Sequence, residues 1–283
     1  MGLLFVLPAM ALVTVLFLLP LVMLLWMSLY DWPLLGSRHF AGLKNYLGML
    51  GDRGFWKAIL FTAKYTVALT AGIFVFAFPL ALFVERQRPL VGLFRAAFFL
   101  PVVLGVSSAS LMWVWLLNVN SGLFSPALQR LGITRAPMQV LGDVDGAFTA
   151  IVIMMVWKTA GFTMILLMTG LQGIPADVEE AARIDGATAL QRFRLITLPL
   201  IRHTVSLALI LVVTGAALSF DQFYIMTAGG PRNQTLTAVY WIFTTSFMSF
   251  RLGYGATLSL VLLGILLALS IVQLRLLRLR DRD

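Results

Sequence analysis

Long, almost uninterrupted apolar stretches limit what this chain can fold into more than any other feature. They cover residues 3–29, 58–84, 92–117, 147–172, 200–226 and 253–274. Membrane hydrocarbon about 30 Å thick needs roughly 20 apolar residues per helical crossing. Only helices and closed barrels satisfy all backbone hydrogen bonds inside lipid. The pattern predicts an all-α polytopic membrane protein with six spans in a single domain, residues 1–283, and with both termini on one side.

Composition agrees and excludes other classes. Hydrophobic residues make up 60% of the 283 residues and charged residues 12%, and the mean hydropathy is +0.94. A soluble domain of this length needs more polar surface. The net charge of +9 does not indicate nucleic acid, because no Lys/Arg run is interleaved with aromatic residues. There is no cysteine, and neither His39 nor His203 has a metal-ligand spacing, so we expect no metal site.

Basic residues beside the spans predict the orientation. The segments at 85–95, 173–202 and the tail hold eleven Arg or Lys residues, whereas the opposite segments at 31–57, 118–146 and 227–252 hold eight. By the positive-inside rule both termini are cytoplasmic. We expect a multi-pass protein of a bacterial or archaeal cytoplasmic membrane.

Between the fourth and fifth spans, residues 173–199, here called the coupling segment, predict two short helices around a break. Pro175 suits a first helical position, and the acidic residues after it suit the positive end of a helix dipole. Gly186 can adopt the left-handed conformation that ends a helix. Thr188 and Gln191 have the spacing of a capping box. A loop this ordered on the cytoplasmic side indicates a docking surface, although packing against the chain's own helix ends is an equal alternative on these signals alone.

The amino-acid sequence of the coupling segment is a more specific signal than its predicted helices. Glu180–Ala181–Ala182, then Gly186, then Ile196–Thr197–Leu198–Pro199 resembles the EAA signature of ABC importer permeases. The resemblance implies a coupling helix that docks in a cleft of a cytoplasmic ATPase dimer. The positions that carry this role over are Glu180, Ala181, Ala182, Asp185 and Gly186.

Three other motifs extend the resemblance over nearly the whole chain. The stretches at 40–46 (FAGLKNY), 94–101 (FRAAFFLP) and 227–235 (TAGGPRNQT) look like motifs of carbohydrate permeases. They are similar to the first permease subunit of maltose, lactose and glycerol-3-phosphate importers, in its shorter six-span form. This implies a second permease subunit, an ATPase dimer that binds the ATP, and an extracytoplasmic substrate-binding protein, with membrane lipid around the spans and no cofactor on this chain.

Polar residues inside spans are costly in lipid and usually face the bundle interior. Lys158 lies eleven positions into the fourth span, about 16 Å deep at 1.5 Å per residue. Gly215, Ser219 and Gln222 share a face of the fifth span, and Asp221 lies beside them. The resemblance to maltose-type permeases gives as substrate-pathway candidates Lys158, Ala160, Gly161, Met164, Gly215, Leu218, Ser219 and Gln222. Asp221 is added as a candidate because it lies beside this polar face. A structural ion pair or interhelical hydrogen bond stays an alternative for Lys158 and Asp221.

Rival functions fit less well. With Asp221 as essentially the one intramembrane acid, no catalytic pair is evident, so we expect no enzyme. The sequence shows neither the intramembrane carboxylates nor the broken helices of an ion-coupled secondary transporter. It has no G-x-x-x-x-G-K-[ST] phosphate loop, so ATP must be hydrolysed by a partner. The expected function is the permease of a di- or oligosaccharide importer, with a neutral sugar favoured by the stretch at 220–223 (FDQF). Glycerol-3-phosphate or a related phosphodiester is the alternative.

Overall fold

The computed structural model describes residues 2–85, 89–130, 132 and 139–278. Helices dominate these residues, which confirms the all-α class. Four are long and apolar enough to cross a membrane: Phe5–Ser28, Arg53–Glu85, Val144–Gln172 and Leu252–Arg275. Two bent helix pairs raise the number to six if each pair is one span. Of the basic residues behind the orientation, Arg86, Arg88, Arg135, Arg280 and Arg282 lie outside the described residues.

The α-helices follow in chain order. They are α1 (Gly2–Val13), α2 (Leu19–Ser28), α3 (Lys44–Leu50), α4 (Arg53–Glu85), α5 (Val91–Val103), α6 (Val106–Leu116), α7 (Phe124–Arg130), α8 (Val144–Gln172), α9 (Ala176–Ile184), α10 (Ala189–Arg192), α11 (Leu198–Leu200), α12 (Arg202–Ala217), α13 (Asp221–Met226), α14 (Ala238–Phe243) and α15 (Leu252–Arg278). π-Helical turns lie at Thr14–Leu18, Phe193–Thr197 and Thr244–Met248, and a 3-10 turn at Val140–Gly142. Two short antiparallel strands, β1 (Tyr30–Asp31) and β2 (His39–Phe40), pair Tyr30 with Phe40.

The chain divides into two compact units, and the divisions fall within α4, just before α14 and within α15. The first unit consists of Met1–Leu60 and Thr237–Ala268, and the second of Phe61–Leu236 and Leu269–Asp283. The prediction of a single membrane domain stays a prediction.

Asp52 organises the first unit. Its Oδ1 accepts the backbone N–H groups of Gly54 and Phe55 and so caps α4, where the first N–H groups lack intrahelical partners. Its Oδ2 accepts the Tyr254 hydroxyl at 2.8 Å and the Trp241 indole N–H at 3.4 Å. The apolar core beside it comprises Met49, Phe55, Tyr254 and Leu258. One carboxylate therefore ties the start of α4 to the start of α15.

The FAGLKNY motif also has a structural role in the first unit. The Asn45 side chain donates from Nδ2 to the carbonyl oxygens of Ser28 and Tyr30, each at 2.9 Å. The Tyr46 hydroxyl lies 2.8 Å from the Ser28 hydroxyl. Backbone carbonyls at a helix end need such partners, so the motif fixes the end of α2.

In the second unit α8 is the central helix. It begins where the Asp143 carboxylate accepts the Gly146 N–H at 3.0 Å, and α5 and α12 pack along it. Gly161 faces α5 so closely that a Cβ there would overlap the Phe98 carbonyl oxygen. This glycine allows the two backbones to approach, as small residues do between membrane helices.

The predicted third span is not one straight helix. Leu104 and Gly105 are extended between α5 and α6, and the two helices meet at 95°. Carbonyl groups at the end of α5 therefore lack intrahelical partners. The expectation that this chain contains no broken helix is wrong, so that ground for excluding a secondary transporter falls away.

The predicted fifth span, residues 200–226, is also interrupted. Its helical part α12 ends at Ala217, and α13 begins at Asp221 after a break at residues 218–220. At its other end a bend of 75° at Ile201 separates the coupling segment from α12. Ser219 therefore lies in the break, and the continuous helical face predicted for Gly215, Ser219 and Gln222 is wrong.

Candidate functional site

The coupling segment folds as its local signals predict, with one shift. Pro175 lies one position before the first helical residue, because α9 begins at Ala176. Gly186 has φ +74°, the left-handed conformation expected of a helix-ending glycine. The capping box of α10 is complete: the Thr188 hydroxyl accepts the Gln191 N–H, and the Gln191 side chain accepts the Thr188 N–H. The segment is an ordered helix–turn–helix.

The surface of the coupling segment combines exposed acids with exposed apolar side chains. Glu180, Ala181, Asp185 and Gly186 are exposed, whereas Ala182 is buried. Ile184 at the end of α9 is 86% exposed, and Leu190 of α10 is 60% exposed. Large apolar side chains this exposed outside a membrane span indicate an interaction surface.

Aromatic packing holds the coupling segment against the end of α4. The rings of Phe78 and Phe193 meet edge to face with centroids 5.8 Å apart. Beside them a cavity of about 560 Å³ is lined by Pro79, Leu82, Phe83 and Glu85 of α4 and by Glu179, Ala189, Arg192, Phe193 and Thr197. Within α9 Glu179 pairs with Arg183 at 3.5 Å. A displacement of the coupling segment would therefore be transmitted directly to α4.

Lys158 is buried in the second unit and forms a hydrogen bond with α5, the first helix of the bent pair. Its side chain is 6% exposed, and its Nζ donates to the Val102 carbonyl oxygen at 3.4 Å. Val102 is in the last turn of α5, where carbonyls lack intrahelical partners. Ala160, Gly161 and Met164 are also buried. An interhelical hydrogen bond thus exists for Lys158, and within the described ranges no ion pair joins it to Asp221.

Ser219 and Gln222 converge on Tyr65 of α4. The Gln222 side chain, 3% exposed, donates from Nε2 to the Tyr65 hydroxyl at 3.1 Å. Ser219 is buried and also forms a side-chain hydrogen bond with Tyr65. Tyr65 in turn packs edge to face on Phe223 with centroids 4.9 Å apart. The side chains of Tyr65, Ser219 and Gln222 therefore meet at the break between α12 and α13.

The other candidates of the fifth span lie on the surface of the second unit. Gly215, Leu218 and Asp221 are exposed, and a Cβ at Gly215 would meet no heavy atom within 4 Å. The structure thus separates the candidates into a buried set, which includes Lys158 and Gln222, and this exposed set.

Two residues of α4 were missed by the sequence analysis. Tyr65 joins Ser219 and Gln222, and its neighbour Lys64 is exposed with Nζ 4.9 Å from the centre of the Phe148 ring. Both are polar residues within an apolar span, the same signal that identified Lys158. Applying that signal to the second span would have found them. Together these side chains present hydroxyl, amide and ammonium groups, which suit a polar solute rather than bond cleavage.

Sequence comparison finds relatives over the full length. A family described as "Binding-protein-dependent transport system inner membrane component" matches residues 2–282. The trehalose/maltose transport system permease protein MalF of Thermococcus litoralis is 34% identical over 281 residues, 99% of this chain and 94% of that protein. The sulfoquinovosyl glycerol transport system permease protein SmoG of Agrobacterium fabrum is 31% identical over 97% of this chain and 89% of that protein.

Solved structures agree on the fold. A chain from a bacterial ABC transporter that imports the acidic polysaccharide alginate superposes with a TM-score of 0.84 at 18% identity, covering 97% of this chain and 93% of that chain. The same kind of transporter in complex with an alginate pentasaccharide-bound periplasmic protein gives 0.80 at 18% identity, covering 98% and 91%.

Proposed function

Because this chain belongs to the family of binding-protein-dependent transport system inner membrane components, we propose that it forms half of the translocation pathway of an ATP-driven importer for a di- or oligosaccharide. The observation that carries the proposal is the capped coupling segment with its exposed Ile184, which offers a docking surface to a second protein. The sugar is supported by relatives such as the trehalose/maltose permease.

ATP hydrolysis then takes place on a partner, an ATPase dimer that receives Glu180, Ala181, Ala182, Asp185 and Gly186 in one of its two clefts. A sister permease fills the other cleft, and a substrate-binding protein delivers the sugar from outside. Both termini and the coupling segment lie in the cytoplasm, as the distribution of Arg and Lys indicates. This chain itself is not an enzyme and carries no cofactor or metal.

The pathway candidates divide into two roles in this proposal. Gly215, Leu218 and Asp221, which are exposed on the second unit, line the path together with the sister permease. Lys158, Ser219 and Gln222 take part when the path opens, because the breaks beside Val102 and Ser219 allow their hydrogen bonds to be exchanged for bonds to sugar hydroxyls. Ala160, Gly161 and Met164 shape the wall.

An anionic solute is the second candidate. Lys158 is a buried cation without a carboxylate partner among the described residues, and a charged side chain at that depth costs roughly 3 kcal/mol unless it faces water or a partner. The SmoG relative, named for a sulfoquinovosyl glycerol, supports this alternative. Glycerol-3-phosphate or a related phosphodiester would satisfy the same chemistry.

Purification of the tagged chain from its native membrane tests the assembly. We expect one copy of this chain, one copy of a different permease and two copies of an ATPase, because one coupling segment fills one cleft. Mass determination of the intact complex gives these copy numbers. A complex with two copies of this chain and no other permease would contradict the heterodimer.

A further inference from the structure

A basic cavity lies at the bend that joins the coupling segment to α12. It has a volume of about 290 Å³, and its lining includes Arg194, Arg202 and His203. Its described lining residues belong to one short stretch on either side of Ile201, where the chain turns by 75°. The bend therefore brings together basic residues from two helical segments.

The described residues that line this cavity include two arginines and a histidine but no Asp or Glu. Across the described ranges no carboxylate forms an ion pair with Arg194. Arginine presents five donors in a planar fork that matches a phosphate oxygen pair. The cavity is thus suited to an anion with several acceptor oxygens.

Apart from Ser206, the other described lining residues are apolar, and they continue into a membrane span. Leu198, Pro199 and Val205 line the cavity, and Leu195, Leu200 and Leu207, their neighbours in sequence, are 73%, 51% and 49% exposed. A free anion gains nothing from apolar walls. A lipid presents a phosphate and acyl chains together, and basic pockets between membrane helices on the cytoplasmic side bind such headgroups.

We propose that Arg194, Arg202 and His203 form a binding site for the phosphate group of an acidic phospholipid of the inner leaflet. The cavity is close to the lower end of the roughly 300–1,000 Å³ range of ligand pockets, which suits a headgroup while the acyl chains lie along the exposed leucines. The bound lipid anchors the hinge between the coupling segment and α12. The inference rests on the proposed function for the cytoplasmic position of the segment.

Lipid titration of the full chain, purified with its accompanying subunits, tests the site. Native mass spectrometry measures retention of phosphatidylglycerol and of phosphatidylcholine. Arg194→Gln should weaken phosphatidylglycerol retention roughly five-fold, and Arg194→Gln with Arg202→Gln roughly 25-fold, because each basic residue near a lipid surface contributes a factor of about five. Phosphatidylcholine retention should not change.

Arg275→Gln is the matched control, because Arg275 is an exposed arginine of α15 that is not among the residues lining the cavity. Equal losses in Arg194→Gln and Arg275→Gln would overturn the site, since they indicate general charge attraction. Retention unchanged in the double variant would also overturn it.

Displacement of the lipid by excess inorganic phosphate alone would identify a free anion as the ligand. Loss of the ATPase with retention of the lipid would identify an acidic protein surface instead. None of these outcomes depends on transport, so they are separate from failure of the proposed function.

Discussion

Replacing Gly186 by Val should abolish coupled transport while the membrane-spanning part remains folded. The glycine has φ +74°, and a side chain in that left-handed conformation costs roughly 1–2 kcal/mol, more when it is β-branched. That cost lowers the docking-competent population about ten-fold or more. Glu180→Lys should act in the same direction, because it reverses the charge of an exposed side chain on the docking surface. The measurement is substrate-stimulated ATP hydrolysis and uptake by the purified complex.

Two matched variants control for strain and for charge. Gly186→Asn should retain coupling, because asparagine tolerates the left-handed region. Asp145→Lys reverses another exposed helical acid, in the first turn of α8, and should have little effect on coupling. Normal uptake and normal stimulation of ATP hydrolysis in both Gly186→Val and Glu180→Lys would exclude the docking role of the coupling segment.

Lys158→Met and Gln222→Leu should each lower uptake strongly while the complex still assembles. Each loses one hydrogen bond, to Val102 or to Tyr65, and a typical hydrogen bond contributes only about 1 kcal/mol to stability. No other group replaces a lost contact with the sugar along the pathway. Uptake should therefore fall more than the yield of assembled complex. Uptake and the yield of intact complex are measured side by side.

Tyr65→Phe separates the structural role of Gln222 from the functional one. It removes the hydroxyl that accepts from Gln222 but leaves the amide in place. Lys57→Met, which removes an exposed lysine from α4, is the control for loss of a lysine in Lys158→Met. If Gln222 binds substrate, Gln222→Leu should lower uptake well below Tyr65→Phe. Equal effects of these two variants, or failure of Lys158→Met only through loss of the complex, would show that these residues are structural.

Local signals predict local structure well in this chain. The capping box of Thr188 and Gln191 and the left-handed Gly186 depend on residues within a few positions of each other, so the sequence is sufficient for both. Five of the six apolar stretches correspond to the four long helices and to the bent pair of α5 and α6, whereas the stretch at 200–226 is divided into α12 and α13. These features depend on hydropathy and on backbone geometry that neighbouring residues determine.

The helix breaks could not be predicted in the same way. Pro101 lies just before the break between α5 and α6, and Gly105 lies in it, but Pro79 lies inside α4, which continues through it. Proline alone therefore does not distinguish a broken span from a continuous one. Hydropathy is equally uninformative at this break, because Val102, Val103 and Leu104 are as apolar as the helices themselves.

The partners of the polar candidates are a matter of tertiary structure. Gln222 binds Tyr65, 157 residues away in the sequence, and Lys158 binds a carbonyl that is available because α5 ends nearby. The free-energy cost of a polar side chain in lipid predicts that such residues form hydrogen bonds inside the protein. It does not predict which groups they bind. The sequence therefore selected Lys158, Ser219 and Gln222 without the contacts that hold them.

ATP-driven uptake into proteoliposomes tests the central claim most directly. The vesicles contain this chain with its co-purified subunits, the substrate-binding protein is added on the opposite side from the coupling segment, and a panel of labelled mono- and oligosaccharides is offered. We predict uptake of at least one saccharide that requires ATP on the side of the coupling segment and is lost in Gly186→Val. Uptake that proceeds without ATP when an ion gradient is imposed, or no transport of any saccharide by an intact complex, would contradict the account.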